Sequence, residues 1–426
     1  MEIANSFITE AIMVDAIIDD EPPRRRQNEE RLRESRGHNL MEDYFIERPI
    51  FDEQAFRRRY RMSRNLFNHI FTDLCNHDNF WHQRSDATGL VGLLPQQKMT
   101  GALRMLAYGS AADQCAEITR MGESTTLECM KKWCIQVYEL YGDIYLRAPN
   151  AADITRLLRM GKHRGFPGMI GSIDCMHWEW KNCPTAWQGA FSGRKKRPTI
   201  ILEAVASYDT WIWHSFFGVP GAQNDINVLH QSDIFDSLLA GMSPNVRYKV
   251  NGMTYHNTYY LADEIYPRYS SFVKTISNPQ ELPEKLFAKK QEAYRKDVER
   301  CFGILQSRWG IIRHAARCHH QSTLKNIMLA CIIMHNMIVE EEFVEEEFEE
   351  NEEEDLQNPS SAFTVYDGPV DEQDNRIPFE PVGRGGPYYE QRFRDRVVDL
   401  QSSYIHGELQ KDLVKHNWFI ETGERL

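Results

Sequence analysis

From residue 50 the apolar positions fall at helical spacing. Phe51, Phe56, Tyr60, Phe67, Ile70, Phe71 and Leu74 define a first helical stretch. Residues 96–108 carry Met99, Leu103 and Leu106, and residues 111–120 carry Cys115 and Ile118. Residues 125–141 carry Leu127, Met130, Cys134, Val137 and Tyr138. Gly109-Ser110 and Met121-Gly122 separate these helices, and Ser124 can cap the last one. Short helices joined by tight turns suit a helix-turn-helix unit, whose last helix enters a DNA groove. A plain helical bundle packed on the next domain has the same pattern.

After residue 165 the period becomes that of strands. Residues 169–180 form one strand, and 199–208 with 211–219 form a hairpin around Asp209-Thr210. Residues 227–239 return to helical spacing through Val228, Ile234, Leu238 and Leu239. Residues 259–262 make a short apolar strand and 282–309 a long helix. Residues 322–339 make a very apolar helix, interrupted by Lys325-Asn326 and His335-Asn336. It reads as a core helix, and His335 as a hydrogen-bonded core histidine rather than a ligand. A final helix is expected over residues 391–418. The order makes an α/β fold: a helical unit, then strand, hairpin, helix, strand and long helix.

Composition fits this reading. Of 426 residues, 42% are apolar and 26% charged, which excludes whole-chain disorder, collagen and a coiled-coil rod and leaves room for two or three domains. No unbroken apolar run is long enough to cross a bilayer, so no membrane partner is expected. Acids interrupt residues 1–20, which argues against a signal peptide. The net charge of −12 misleads, because residues 340–355 hold twelve acids and no base. Without that tract the chain is neutral, and local patches decide nucleic-acid binding. The cluster Arg24-Arg25-Arg26 reads as a nuclear import signal or a solvated tail. Nine cysteines without a CxxC pair indicate a reducing compartment, cytosol or nucleus. Cys318-His319-His320 lacks the second ligand pair that a zinc site needs. The expected organisation is a disordered tail (1–45), a helical, helix-turn-helix-like domain (46–150) and an α/β domain (160–340). An acidic and Pro/Gly-rich linker (341–388) and a C-terminal helix (389–426) follow. The tract and linker are expected not to pack on the core.

Four acids stand out. Asp174 lies mid-strand in an apolar run, an expensive place for a carboxylate unless something cationic meets it. Asp225 starts a helix, Asp263 ends the strand 259–262, and Glu299 lies in the long helix. Val298, Phe302, Leu305 and Trp309 form the buried stripe of that helix. Glu299 is one residue on, about 100° around, so it looks along the sheet surface. Two strand aspartates and a helix glutamate can hold two divalent ions, which activate a water or hydroxyl and stabilise a leaving phosphodiester oxygen. Carboxylates suit Mg²⁺ or Mn²⁺. Each acid also has an ordinary surface reading. Arg194-Lys195-Lys196-Arg197, with Lys181, Lys274, Arg295, Arg300 and Arg308, are candidates for phosphate contact. The four-residue cluster reads equally as a solvated turn.

The run from Gly165 to Trp178, with Gly171-Ser172-Ile173-Asp174-Cys175-Met176-His177 at its centre, resembles the first-aspartate strand of plant Harbinger-superfamily transposases, in particular the Pong-like group. Cys183-Pro184-Thr185-Ala186-Trp187, the run from Pro198 to Asp209, and Asn224-Asp225-Ile226-Asn227-Val228-Leu229 are similar too. So are Tyr260-Leu261-Ala262-Asp263 with Ile265-Tyr266-Pro267, and Arg295-Lys296-Asp297-Val298-Glu299-Arg300 with Phe302-Gly303. Between Asp263 and Glu299 lie 35 residues, the separation this family shows.

The resemblance implies an RNase H-like DDE nuclease domain preceded by the helical unit. Asp174, Asp263 and Glu299 then match the catalytic acids, and Asp225 a fourth metal-binding acid, with Mg²⁺ or Mn²⁺ as cofactor. It also implies DNA at transposon ends as substrate, a Myb-like DNA-binding partner protein and a nuclear location. Glu264 departs from the family's usual Gly: if the strand persists its carboxylate points away from the metals and is tolerated, whereas a turn there implies a strained backbone or a crowded metal pocket, and reduced catalysis with an intact fold is expected. The alternative is a domesticated, catalytically silent DNA-binding or chromatin-associated protein. Oligomeric state stays open, a homo-oligomer included.

Overall fold

Helix α1 (Arg33–Tyr44), α2 (Glu53–Tyr60), α3 (Arg64–His77), α4 (Pro95–Tyr108), α5 (Ala112–Thr119), α6 (Glu123–Tyr145) and α7 (Ala151–His163) precede the first strand. The computed structural model describes residues 31–87, 89–193, 196–343, 363–366 and 389–425. Asp52 and Ser63 start α2 and α3 by accepting the N–H of Ala55 and Leu66, donors that have no partner within the helix. Gly109 ends α4 in the left-handed conformation. The stretch 1–45, expected to be a tail, contains α1. Its Leu40 and Tyr44 are buried, and Arg36 donates to the Ile118 carbonyl. A two-residue apolar stripe among many charges was too weak a signal. Residues 1–30 lie outside the described residues. Helix α7 was not expected; Asn150 and Asp153 start it with a capping box.

Next come β1 (Met169–Glu179), α8 (Gln188–Phe191), β2 (Thr199–Ala206), β3 (Ile212–Pro220), α9 (Asp225–Leu229), α10 (Asp236–Ala240), β4 (Asn245–Val250), β5 (Met253–His256), β6 (Tyr259–Ala262) and β7 (Phe272–Lys274). Helices α11 (Leu282–Arg308), α12 (Gly310–Arg313) and α13 (Gln321–Glu342), strand β8 (Phe363–Tyr366), and helices α14 (Tyr389–Leu400) and α15 (Ser403–Thr422) complete the chain. The single helix expected over 227–239 is two short ones.

The main sheet has the order β3-β2-β1-β6-β7. β1, β2 and β3 are antiparallel neighbours, whereas β6 and β7 run parallel to β1. Met176 and Trp178 of β1 join Leu202, Leu305 and Met130 in the largest core cluster, which extends into the helical unit. Ile173 belongs to a separate cluster with Leu229, Tyr266 and Phe272. The two sets alternate along β1 because strand side chains do. α13 is long and apolar enough to cross a membrane, but it is mostly buried, packed against α6 and β3.

A second, three-stranded sheet has the order β5-β4-β8. Asn251 and Gly252, both at positive φ, turn β4 into β5. Two expectations for the stretch after residue 340 are corrected. Strand β8 falls in the expected linker, yet pairs with β4. The first three acids of the tract extend α13 and reach the helical unit: Glu340 accepts from the Tyr145 hydroxyl, Glu341 from Ser63, and Glu342 from Arg57. Charge repulsion does not prevent this, because each carboxylate meets a donor. Residues 344–362 and 367–388 lie outside the described residues.

Candidate functional site

The site begins with strand register. Ser172 of β1 pairs with Leu261 of the parallel strand β6. Two residues further along each chain stand Asp174 and Asp263, at the same end of the sheet. The long helix is tied to this place by the Val298 N–H, which donates to the Ser172 hydroxyl at 3.2 Å. Val298, Phe302, Leu305 and Trp309 are all buried, as the stripe required. Glu299 therefore comes within the electrostatic reach of Asp174, on the same face of the sheet. Asp225 is the first residue of α9, which Asn224 caps.

The charges are crowded. The Asp174 carboxyl is pushed up to about 6, chiefly by burial. The Cys175 N–H at 2.8 Å and Arg295 oppose that shift, while Asp225 and Glu299 add to it. Burial also raises Asp225; the Cys175 thiol and His177 counter it, and Asp263 and Glu203 reinforce it. Asp263 accepts the N–H of Glu264 at 2.8 Å. Arg295 donates to Glu299 at 3.0 Å and stands 4.0 Å from Asp263. The electrostatic neighbourhood thus links all four acids, with Arg295 as their counter-charge.

Glu264 does not behave as expected. The chain does turn there, with Tyr266 N–H donating to the Asp263 carbonyl at 3.2 Å. Yet Glu264 is not among the non-glycine residues at positive φ, and its carboxylate accepts from the Ser277 hydroxyl. It is neither strained nor turned onto Asp263.

The basic candidates divide. Arg295 belongs to the site. Arg300 pairs with Asp297 at 3.1 Å and donates to the Tyr208 carbonyl. Arg308 is largely buried between His335 and Glu342 and so serves the core rather than a phosphate. Lys274 donates to the Tyr266 carbonyl, and Arg197 pairs with Glu179 at 3.3 Å. Lys181 follows β1, its N–H held by the Ala316 carbonyl. Arg194 and Lys195 lie outside the described residues. His335 is fully buried, bonded to the Thr210 carbonyl at 2.8 Å and to Arg308.

One acid was missed. Glu203 lies on β2 opposite Cys175, fully buried, with neither carboxylate oxygen hydrogen-bonded. The His214 imidazole lies 3.4 Å from it. A glutamate inside the apolar run 199–206 was a visible signal.

Among the described residues, no three His, Cys, Asp or Glu side chains stand at metal-ligating separation. The donor chemistry nevertheless fits a divalent cation. The candidates are hard carboxylate oxygens, and the half-buried Asp174 is disfavoured as an anion first by desolvation and then by Asp225 and Glu299. A cation relieves that conflict, which Arg295 relieves only in part.

Residues 143–346, which include all four acids, match the family described as Plant transposon protein. Residues 37–75 match a domain of unknown function, DUF8418. The chain is 24% identical over 299 residues to the Arabidopsis thaliana "Protein ALP1-like", covering 68% of this chain and 71% of that one. It is 24% identical over 309 residues to the Homo sapiens protein named "Putative nuclease HARBI1", covering 72% of this chain and 82% of that one. No solved structure matches the chain. The resemblance read from the Asp174, Asp225, Asp263 and Glu299 motifs is thus met by both comparisons: the chain is similar to the plant transposon proteins over residues 143–346, and to the proteins named "Protein ALP1-like" and "Putative nuclease HARBI1".

Proposed function

We propose that the chain is a divalent-metal-dependent DNA nuclease of the DDE transposase type, with an RNase H-like domain. The observation that carries this reading is the half-buried Asp174, its carboxyl raised by partial burial with Asp225 and Glu299 adding to the shift. The topology supports it: Asp174 sits on the first strand of the main sheet, β1, Asp263 directly follows the fourth in chain order, β6, and the glutamate lies on the late helix α11.

Asp174, Asp263 and Glu299 act as the catalytic acids and, with Asp225, hold the Mg²⁺ or Mn²⁺. When bound, the metal supplies activation of a water or hydroxyl and charge stabilisation at the phosphodiester. The Cys175 N–H orients Asp174, and the Glu264 N–H orients Asp263. Arg295 neutralises the acids in the metal-free chain and then faces the phosphate. The substrate is DNA at transposon ends, met in the nucleus with a Myb-like partner protein.

A second reading, a catalytically silent DNA-binding protein, is favoured by one observation: Arg295 already pairs with Glu299 at 3.0 Å. A Mn²⁺ titration followed by electron paramagnetic resonance separates the two. The nuclease reading expects saturable binding that weakens at least tenfold in Asp174→Asn. Equal binding by wild type and variant would leave the silent reading.

A further inference from the structure

We infer that the arginines of α2, the α2–α3 turn, the start of α3 and α4 form a contact surface for the phosphate backbone of duplex DNA, distinct from the acid site. Arg57, Arg58 and Arg59 lie on α2, Arg61 ends it, Arg64 opens α3 and Arg104 lies on α4. Aromatic rings hold the guanidinium groups. Arg59 lies 3.9 Å from the centroid of Phe51 and Arg64 4.5 Å from that of Phe56. Arg61 and Arg104 share Tyr108, at 5.1 and 5.5 Å. Stacking fixes these planar cations and sets their donor directions before any ligand arrives.

The cluster is undersupplied with anions. Arg57 and Arg64 share Glu53. Among the described residues, Arg59, Arg61 and Arg104 have no ion-pair partner. Arg59, Arg61, Arg64 and Arg104 each keep a buried guanidinium N–H without a hydrogen-bond partner. Unsatisfied buried donors on crowded like charges are costly in the free protein. Those orphaned N–H groups face inward, so it is the solvent-facing N–H groups of the same guanidinium forks, and the exposed Arg57 and Arg58, from which phosphate oxygens can accept. An anion already seats at the edge of the patch, where Glu342 reaches Arg57 at 3.2 Å.

The alternative surface, the last helix of the helix-turn-helix reading, is poorly suited. Met130, Trp133, Cys134 and Val137 of α6 are fully buried. Its exposed face carries Glu123, Glu128, Glu139 and Asp143 against Lys131, which repels phosphate. The choice of DNA as the polyanion rests on the proposed nuclease; the patch itself does not.

The test is fluorescence anisotropy of the full chain on a random-sequence duplex, in EDTA and across a salt series. R61Q/R104Q should lower the slope of log affinity against log salt by about two and weaken binding to all sequences alike. Unchanged affinity and slope in a folded variant would overturn the proposal. If R61Q/R104Q fails a thermal-melt control, the exposed pair R57Q/R58Q carries the same two outcomes. Tighter binding of duplex RNA than of DNA would overturn the choice of DNA.

Discussion

The backbone N–H of Val298 donates to the hydroxyl of Ser172 across 3.2 Å, fastening the glutamate-bearing helix to the aspartate-bearing strand. Both residues are buried. Glu299 is the next residue on α11, and Asp174 lies two residues along β1, so this bond sets the height of one carboxylate against the other. Arg295, one turn earlier on the same helix, then reaches both Glu299 and Asp263.

Ser172→Ala should therefore separate fold from site. Losing one neutral hydrogen bond costs about 1 kcal/mol of stability. Freed helix register should weaken Mn²⁺ affinity several-fold. A thermal melt and a Mn²⁺ titration check both. Metal affinity equal to wild type would mean that the helix is positioned by packing alone.

Glu264→Gly should leave metal-dependent activity unchanged. Glu264 avoids the left-handed region and holds Ser277 rather than crowding Asp263. A large gain in cleavage rate with glycine would show that the glutamate does obstruct the site.

Histidine 335 should make the fold acid-sensitive. Burial, with Arg308 beside it, lowers its pKa to about 3. An unfolded histidine takes its proton near 6.5. Between those values the unfolded chain binds more protons, so stability falls as pH drops below about 6.5, at most by about 1.4 kcal/mol per unit. Urea unfolding at pH 5 and 7.5 should show this loss in wild type and a smaller one in His335→Asn. Equal losses would place the acid sensitivity elsewhere.

The acidic tract should compete with DNA. Its first members already meet Tyr145, Ser63 and Arg57 beside the helical unit. Replacing the glutamates of residues 345–354 by glutamine should strengthen binding to random duplex at low salt, with the difference fading as salt screens it. Unchanged low-salt affinity counts against competition.

The strand-helix frame of the site was legible because its signals are local. Asp174 interrupts an apolar strand, and the Val298–Trp309 stripe fixes which way Glu299 turns. Arg295 was legible only as a basic residue, because its pairing with Asp263 depends on where β6 ends beneath α11. Some misses had readable signals. Asn251-Gly252 is a hairpin turn, and Asn150 with Asp153 is a helix start. The pairing of β8 with β4 had none, since more than a hundred residues separate them. The arginine patch was hidden for a related reason. Five of its members are close in sequence, but Arg104 and Tyr108 complete it from another helix.

The most direct measurement is single-turnover strand cleavage of terminal-repeat DNA in Mn²⁺, with the proposed Myb-like partner added, comparing wild type with Asp174→Asn, Asp263→Asn, Glu299→Gln and the surface control Glu179→Gln. Wild type and Glu179→Gln should cleave, with cleavage abolished by EDTA and reduced at least a hundredfold in each of the three acid variants. Cleavage that survives in Asp174→Asn or Glu299→Gln would contradict the nuclease reading.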